Sequence, residues 1–168
     1  GTQYLFMGSQ DNGSASWDGT DTGPKWQARS NGGDGFSAAF DPIAGSLTTG
    51  DWYTEYTNGQ LSRSTAGAEG AFYSNSGPWS NDNPAWSAPF LMDQLHCTAI
   101  HCSNMIFGSA HLWASTDAGT SWTRTSSAGL TKGTGSIITL DFAASSPGAV
   151  VVGTNDGNVQ FASNVFTG

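Results

Sequence analysis

Basic side chains are scarce in this sequence. The 168 residues hold 5 Lys and Arg against 13 Asp and Glu, for a net charge of −8. A nucleic-acid binder needs a cationic footprint, so that class is excluded. Attraction to an anionic membrane surface is disfavoured for the same reason. No apolar run approaches the length of a membrane span. No stretch repeats apolar residues at helical spacing. Arginine is limited to Arg29, Arg63 and Arg124, too few for the cluster with which a sialidase grips a substrate carboxylate. No nucleophile-elbow motif accompanies the three histidines, His96, His101 and His111, which argues against a Ser-His-Asp enzyme. Cysteine occurs twice, as Cys97 and Cys102 in His96-Cys-Thr-Ala-Ile-His-Cys102. A disulfide closing a short loop is the favoured reading. Free thiols and a His/Cys metal site remain as alternatives, although the spacing matches no standard zinc pattern.

Glycine and tryptophan are abundant instead, at 23 and 7 residues. Together with Ser, Thr and Asn they predict many short strands joined by tight turns, hence an all-β fold. The clearest turn is Ser115-Thr-Asp-Ala-Gly-Thr-Ser-Trp122. Asp117 and Ser115 can bond the backbone of their own turn, Gly119 suits a left-handed corner, and Trp122 can pin the outgoing strand. A degenerate copy, Asp21-Thr-Gly23-Pro-Lys-Trp26, lacks the leading hydroxyl. Strand-end pairs recur as Gly8-Ser9, Gly108-Ser109 and Gly153-Thr154, with Tyr56-Thr57 aligned in their place in the second unit, at separations of 48, 52 and 45 residues. Repeats of this length with about four strands each fit propeller blades. The units expected are 1–47, 48–89, 90–135 and 136–168.

These residues resemble the Asp-box of the bacterial neuraminidase repeat. Gly8 to Gly13, Gly32 to Phe36 with Asp41-Pro42, Asn58 to Ser64 and Gly153 to Gly157 extend the similarity to the secreted neuraminidase-repeat propellers, with sortilin-type and xyloglucanase-type relatives. The resemblance implies a β-propeller of four-stranded antiparallel blades. At this length it is an incomplete arc of about three to four blades, completed by the rest of its own chain or by self-association. It implies structural roles for Ser115, Asp117, Gly119, Trp122, Asp21, Gly23 and Trp26.

The function expected is a non-catalytic extracellular module for binding, adhesion or surface assembly. The sequence shows no signal peptide, though a start without Met leaves room for one removed earlier, and the Lys-poor, Ser/Thr/Gly/Trp-rich composition reads as secreted. The partners expected are a glycan or another extracellular protein. The alternative is the propeller part of a glycoside hydrolase, which needs two facing carboxylates. Asp34, in Gly33-Asp-Gly-Phe36, faintly matches a xyloglucanase-type catalytic loop and is the catalytic candidate. Glu55, Asp51 and Asp93 are its conceivable partners by chemistry. Trp79 and Trp86 are read either as packing plugs or as a stacking surface for a sugar. No cofactor motif is present; Ca²⁺ on an acidic turn such as Asp117 is the one reading left open.

Overall fold

A computed structural model describes residues 4–19, 26–29 and 33–167. The expected Asp21 and Gly23 lie outside the described residues. Within them the chain is all-β, with no α-helix. The first sheet holds β1 (Leu5–Ser9), β2 (Gly13–Trp17) and β3 (Gln27–Ala28). The second holds β4 (Ala38–Phe40), β5 (Trp52–Glu55), β6 (Leu61–Ser64) and β7 (Tyr73–Ser74). The third holds β8 (Phe90–Met92), β9 (Met105–Gly108), β10 (Leu112–Ser115) and β11 (Thr123–Arg124). The fourth holds β12 (Ile137–Phe142), β13 (Val150–Thr154) and β14 (Val159–Ala162). All pairings are antiparallel between chain neighbours, and no sheet closes into a barrel.

The period of two along a strand shows how the sheets stack. On β9, Met105 and Phe107 join a core shared with Tyr53 and Leu61 of the second sheet. Ile106, between them, joins a separate core with Ile137, Leu140, Val150 and Val152 of the fourth sheet. On β10, Trp113 faces the first core while Leu112 and Ala114 face the second. The third sheet is thus covered on both faces, and every residue of β9 and β10 is buried. The fourth sheet is covered on one face only, so β14 alternates between exposed and half-buried.

Two of the recurring strand-end glycines have a packing reason. A Cβ on Gly8 would lie 2.1 Å from the Phe36 carbonyl oxygen, and one on Gly108 would lie 2.7 Å from Ile137 Cγ2. In both cases the chain entering the next sheet presses against the glycine. The second sheet breaks the rule, and it corrects the sequence alignment by one residue. Glu55 pairs with Leu61 across a five-residue connection, as Gly153 pairs with Val159. Glu55-Tyr56, and not Tyr56-Thr57, is therefore the counterpart of Gly153-Thr154. The expected boundary between 47 and 48 also moves. β4 pairs with β5, so the second sheet begins at Ala38. The Asp-Pro turn at Asp41 lies inside it and does not close the first unit.

The Ser115 to Trp122 turn joins β10 to β11 and is bonded largely within itself. Ser115 Oγ donates to Asp117 Oδ1 at 2.8 Å and accepts the Gly119 N–H at 2.9 Å. Asp117 accepts the Ser121 N–H at 2.8 Å and the Ser121 hydroxyl at 2.7 Å. Burial opposes ionisation of Asp117, but these donors outweigh it and hold its carboxyl below the usual range. Half-buried Trp122 donates to the Gly119 carbonyl at 3.1 Å and meets Trp79 edge-on at 5.0 Å. The second sheet then grips the corner: Tyr53 OH donates to the Ala118 carbonyl at 2.8 Å and Asn75 Nδ2 to the Gly119 carbonyl at 3.1 Å. Asp117→Ala should cost about 1–2 kcal/mol by orphaning these donors. A urea-melt midpoint equal to that of the wild type would refute the locking role.

Cys97 and Cys102 form a disulfide with Cα atoms 4.4 Å apart. The bond removes the free-thiol and metal readings of these two sulfurs. The Cys102 N–H donates to Asp41 Oδ2 of the second sheet at 3.1 Å, which ties the closed loop across the sheet junction.

Candidate binding face

Antiparallel topology sends the connections to two opposite ends of the sheets. The Asp117 turn and the disulfide loop share one end, where the Ala118 N–H donates to the Ser103 carbonyl at 2.9 Å. The hairpins after β1, β5, β9 and β13 share the other, together with the connections that lead from each sheet to the next. This second end gathers most of the polar and aromatic residues of interest.

Asp34 sits here, half-buried, and accepts the Asp11 N–H at 3.1 Å. Its carboxylate therefore clasps the hairpin between β1 and β2. None of its three conceivable partners offers it a facing acid. Asp51 lies at the far end of β5, held by Arg63 through two hydrogen bonds of 2.9 Å. Asp93 is buried and caps the N–H groups of Leu95 and His96 at 3.1 and 3.2 Å. Glu55 is at the correct end but only 1% exposed, so its carboxyl cannot reach a substrate. It stands at the strand-end position that glycine holds in the other three sheets. One oxygen accepts the Ala88 N–H at 3.2 Å, and the other has no hydrogen-bond partner. Burial pushes its pKa up to about 8, against the pull of the Ala88, Gly59 and Ser37 N–H groups.

A second acid was not legible in the sequence. Asp82 reaches from the irregular 75–89 connection into the hairpin between β9 and β10. It accepts from the Ser109 hydroxyl, bonds His111 Nδ1 at 2.6 Å and accepts the Trp113 indole N–H at 3.1 Å. Burial works against its ionisation, yet these three partners outweigh it and lower the pKa. The trio contains Ser, His and Asp but not the order a nucleophile needs. Ser109 is fully buried and donates to the carboxylate, while the imidazole sits on the carboxylate's other oxygen. The imidazole is not placed to take the serine proton and the hydroxyl is shut off from solvent, so the cluster is a hairpin clasp. In the fourth sheet Asp156 clasps the equivalent hairpin locally, by accepting the Thr154 hydroxyl at 2.5 Å.

The two aromatic candidates separate. Trp79 is 1% exposed, stacked on Phe107 with centroids 3.8 Å apart, and belongs to the core. Its reading as a sugar platform is corrected: the 75–89 connection folds inward at Trp79 and outward at Trp86. Trp86 is 49% exposed and stands edge-on to Phe36 at 4.6 Å. Tyr56, read in the sequence only as a repeat position, is 41% exposed at the same end. Trp26 of the degenerate turn is also exposed.

No family model matches the chain, and no curated protein matches it. Among solved structures it is similar to the computationally designed Ika4 protein, with a TM-score of 0.59 and 13% sequence identity. The match covers 95% of this chain and 84% of that one. At this identity the likeness concerns the fold alone, an all-β array of antiparallel sheets.

Proposed function

We propose that the chain is a non-catalytic extracellular β-propeller module for binding, adhesion or surface assembly. Its four sheets are then successive blades of an incomplete arc. The observation that carries the reading is Asp34, whose carboxylate secures a neighbouring hairpin and meets no facing acid among the three candidates. Stacking of the sheets in chain order supports the blade assignment, as does the Asp117 turn. The disulfide supports an oxidising, extracellular setting. Leu5 and Met7 of the first sheet, and Val159 and Phe161 of the fourth, are exposed. These terminal sheets are suited to cover by further blades, from the rest of the chain or from a second copy.

The alternative, the propeller part of a glycoside hydrolase, is favoured by one observation. Glu55 holds its proton far above the ordinary carboxyl range, as a general acid does. Its burial argues against contact with a glycosidic oxygen. The two readings part in a reducing-end assay on neutral and acidic polysaccharides, run with the wild type and Asp34→Asn. The module reading expects no release above buffer from either protein. Release by the wild type that Asp34→Asn abolishes would replace it with the hydrolase.

A further inference from the structure

The module reading leaves open what is bound and where; the inference here rests on that reading and supplies both. Three segments that each carry an aromatic residue are joined by backbone hydrogen bonds at the end of the second sheet. Phe36 lies on the way into β4, Tyr56 follows β5, and Trp86 precedes β8. Trp86 meets Phe36 edge-on at 68°, so Phe36 packs against the indole and fixes its angle to that ring. The Tyr56 ring lies against Gly33 of the same segment. A Cβ on Gly33 would come within 3.2 Å of the Tyr56 ring, so only glycine lets the 33–36 segment lie this close.

Backbone hydrogen bonds fix all three segments. The Asn58 N–H donates to the Trp86 carbonyl at 2.9 Å, the Phe36 N–H to the Glu55 carbonyl at 3.1 Å, and the Tyr56 N–H to the Gln60 carbonyl at 2.8 Å. Large rings held open to water at preset angles cost little ordering on binding. The Phe36, Tyr56 and Asn58 N–H groups are already paired, so an incoming peptide finds no strand edge to extend along those two segments. A sugar ring needs none, because its C–H face stacks on an aromatic face while its hydroxyls meet polar neighbours. Asp34 and the exposed Gln60 provide such neighbours. Charge narrows the class further. Segments 33–37, 55–60 and 84–88 contain Asp34 and Glu55 but no Lys or Arg, within a chain of net charge −8. A polyanionic glycan would be repelled.

We infer that Trp86, Tyr56 and Phe36, flanked by Asp34, form a binding platform for an uncharged polysaccharide chain. The test is affinity electrophoresis of the 168-residue protein in native gels. The gels are cast with hydroxyethyl cellulose, with galactomannan or with polygalacturonate. A proline-rich peptide is titrated in parallel against tryptophan fluorescence. At least one neutral polymer should retard the protein, and polygalacturonate should not. Trp86→Ala should weaken retardation by at least about tenfold. Trp86→Phe, which keeps an aromatic face, should retain part of it. Circular dichroism and urea melts identify any variant that is unfolded. Tyr56→Ala, which removes an exposed side chain, then serves as the second probe. No retardation by either neutral polymer would overturn the inference and leave the non-catalytic reading intact. So would equal retardation of wild type and Trp86→Ala, or binding of the peptide or polyanion alone. Retardation accompanied by new reducing ends would do the opposite, sparing the platform and ending the non-catalytic reading.

Discussion

Replacing Trp79 with alanine is expected to cost about 3–5 kcal/mol. The indole is stacked on Phe107 at an interplanar angle of 9°, and meets Trp122 at 5.0 Å and Trp113 at 6.3 Å, both edge-on. Its N–H donates to the buried Gly59 carbonyl at 2.8 Å. One side chain from a connecting segment thus fills the junction between the second and third sheets. Truncation removes the stacking partner of Phe107, opens a cavity and leaves the Gly59 carbonyl without its donor. Neighbouring side chains cannot collapse into the gap readily, because they belong to two sheets held by their own ladders. The loss is a large share of the roughly 5–15 kcal/mol that stabilises a domain of ordinary size. Urea unfolding followed by far-UV circular dichroism measures it. Trp86→Ala, seven residues along the same connection, is the control and should shift the midpoint little. A Trp79→Ala loss below about 1 kcal/mol would show that the junction does not depend on this ring.

That contrast also marks how far the sequence could be read. The Asp117 turn was legible because its main partners, Ser115, Gly119 and Ser121, fall within seven residues, so composition and spacing specify the geometry. The cysteine loop was legible for the same reason. The all-β character followed from short apolar runs punctuated by glycine, and the strand-end glycines marked a true structural repeat. Trp79 and Trp86 were not separable, since each follows a proline-containing turn in a segment without periodicity. Only packing against Phe107 decides which is inside. Asp82 escaped notice because its partners, Ser109, His111 and Trp113, lie 27 to 31 residues away. Nothing local distinguishes it from a solvated acid in an Asn-Asp-Asn run. The approximate unit 1–47 takes in β4, which the ladder assigns to the second sheet. The Asp41-Pro42 turn lies inside that sheet. Tyr56 was hidden by the one-residue slip in the repeat alignment, which also disguised the most unusual residue of the second sheet.

That residue is Glu55, and its protonation should make stability fall as pH rises. An ordinary carboxyl of this type titrates at 4.5, and in the folded protein burial raises the value to about 8. The folded state therefore holds this proton more tightly than the unfolded chain does. The resulting stabilisation is complete below about pH 4.5, erodes as the unfolded chain ionises, and is gone once pH passes about 8. The gap between the two values corresponds to about 5 kcal/mol. In Glu55→Gln the amide keeps an oxygen to accept the Ala88 N–H but carries no proton to lose. The variant should match the wild type near pH 5 and exceed it by several kcal/mol near pH 9. Histidines and other groups common to both proteins cancel in the difference. Urea melts of the pair at pH 5, 7 and 9 provide the measurement. Parallel pH profiles would mean that the N–H groups of Ala88, Gly59 and Ser37 hold Glu55 as a carboxylate, so that burial does not win. The consequence reaches the surface. Glu55 bonds Ala88 through its side chain and Phe36 through its backbone, and so pins the two segments that carry Trp86 and Phe36. Ionisation of Glu55 places a charge in the buried junction of these segments, and its drive toward water should displace the Trp86 segment before the fold is lost. Intrinsic tryptophan fluorescence should shift with a midpoint near pH 8 in the wild type, stay flat in Glu55→Gln, and lose that shift in Trp86→Phe, which leaves the other tryptophans in place.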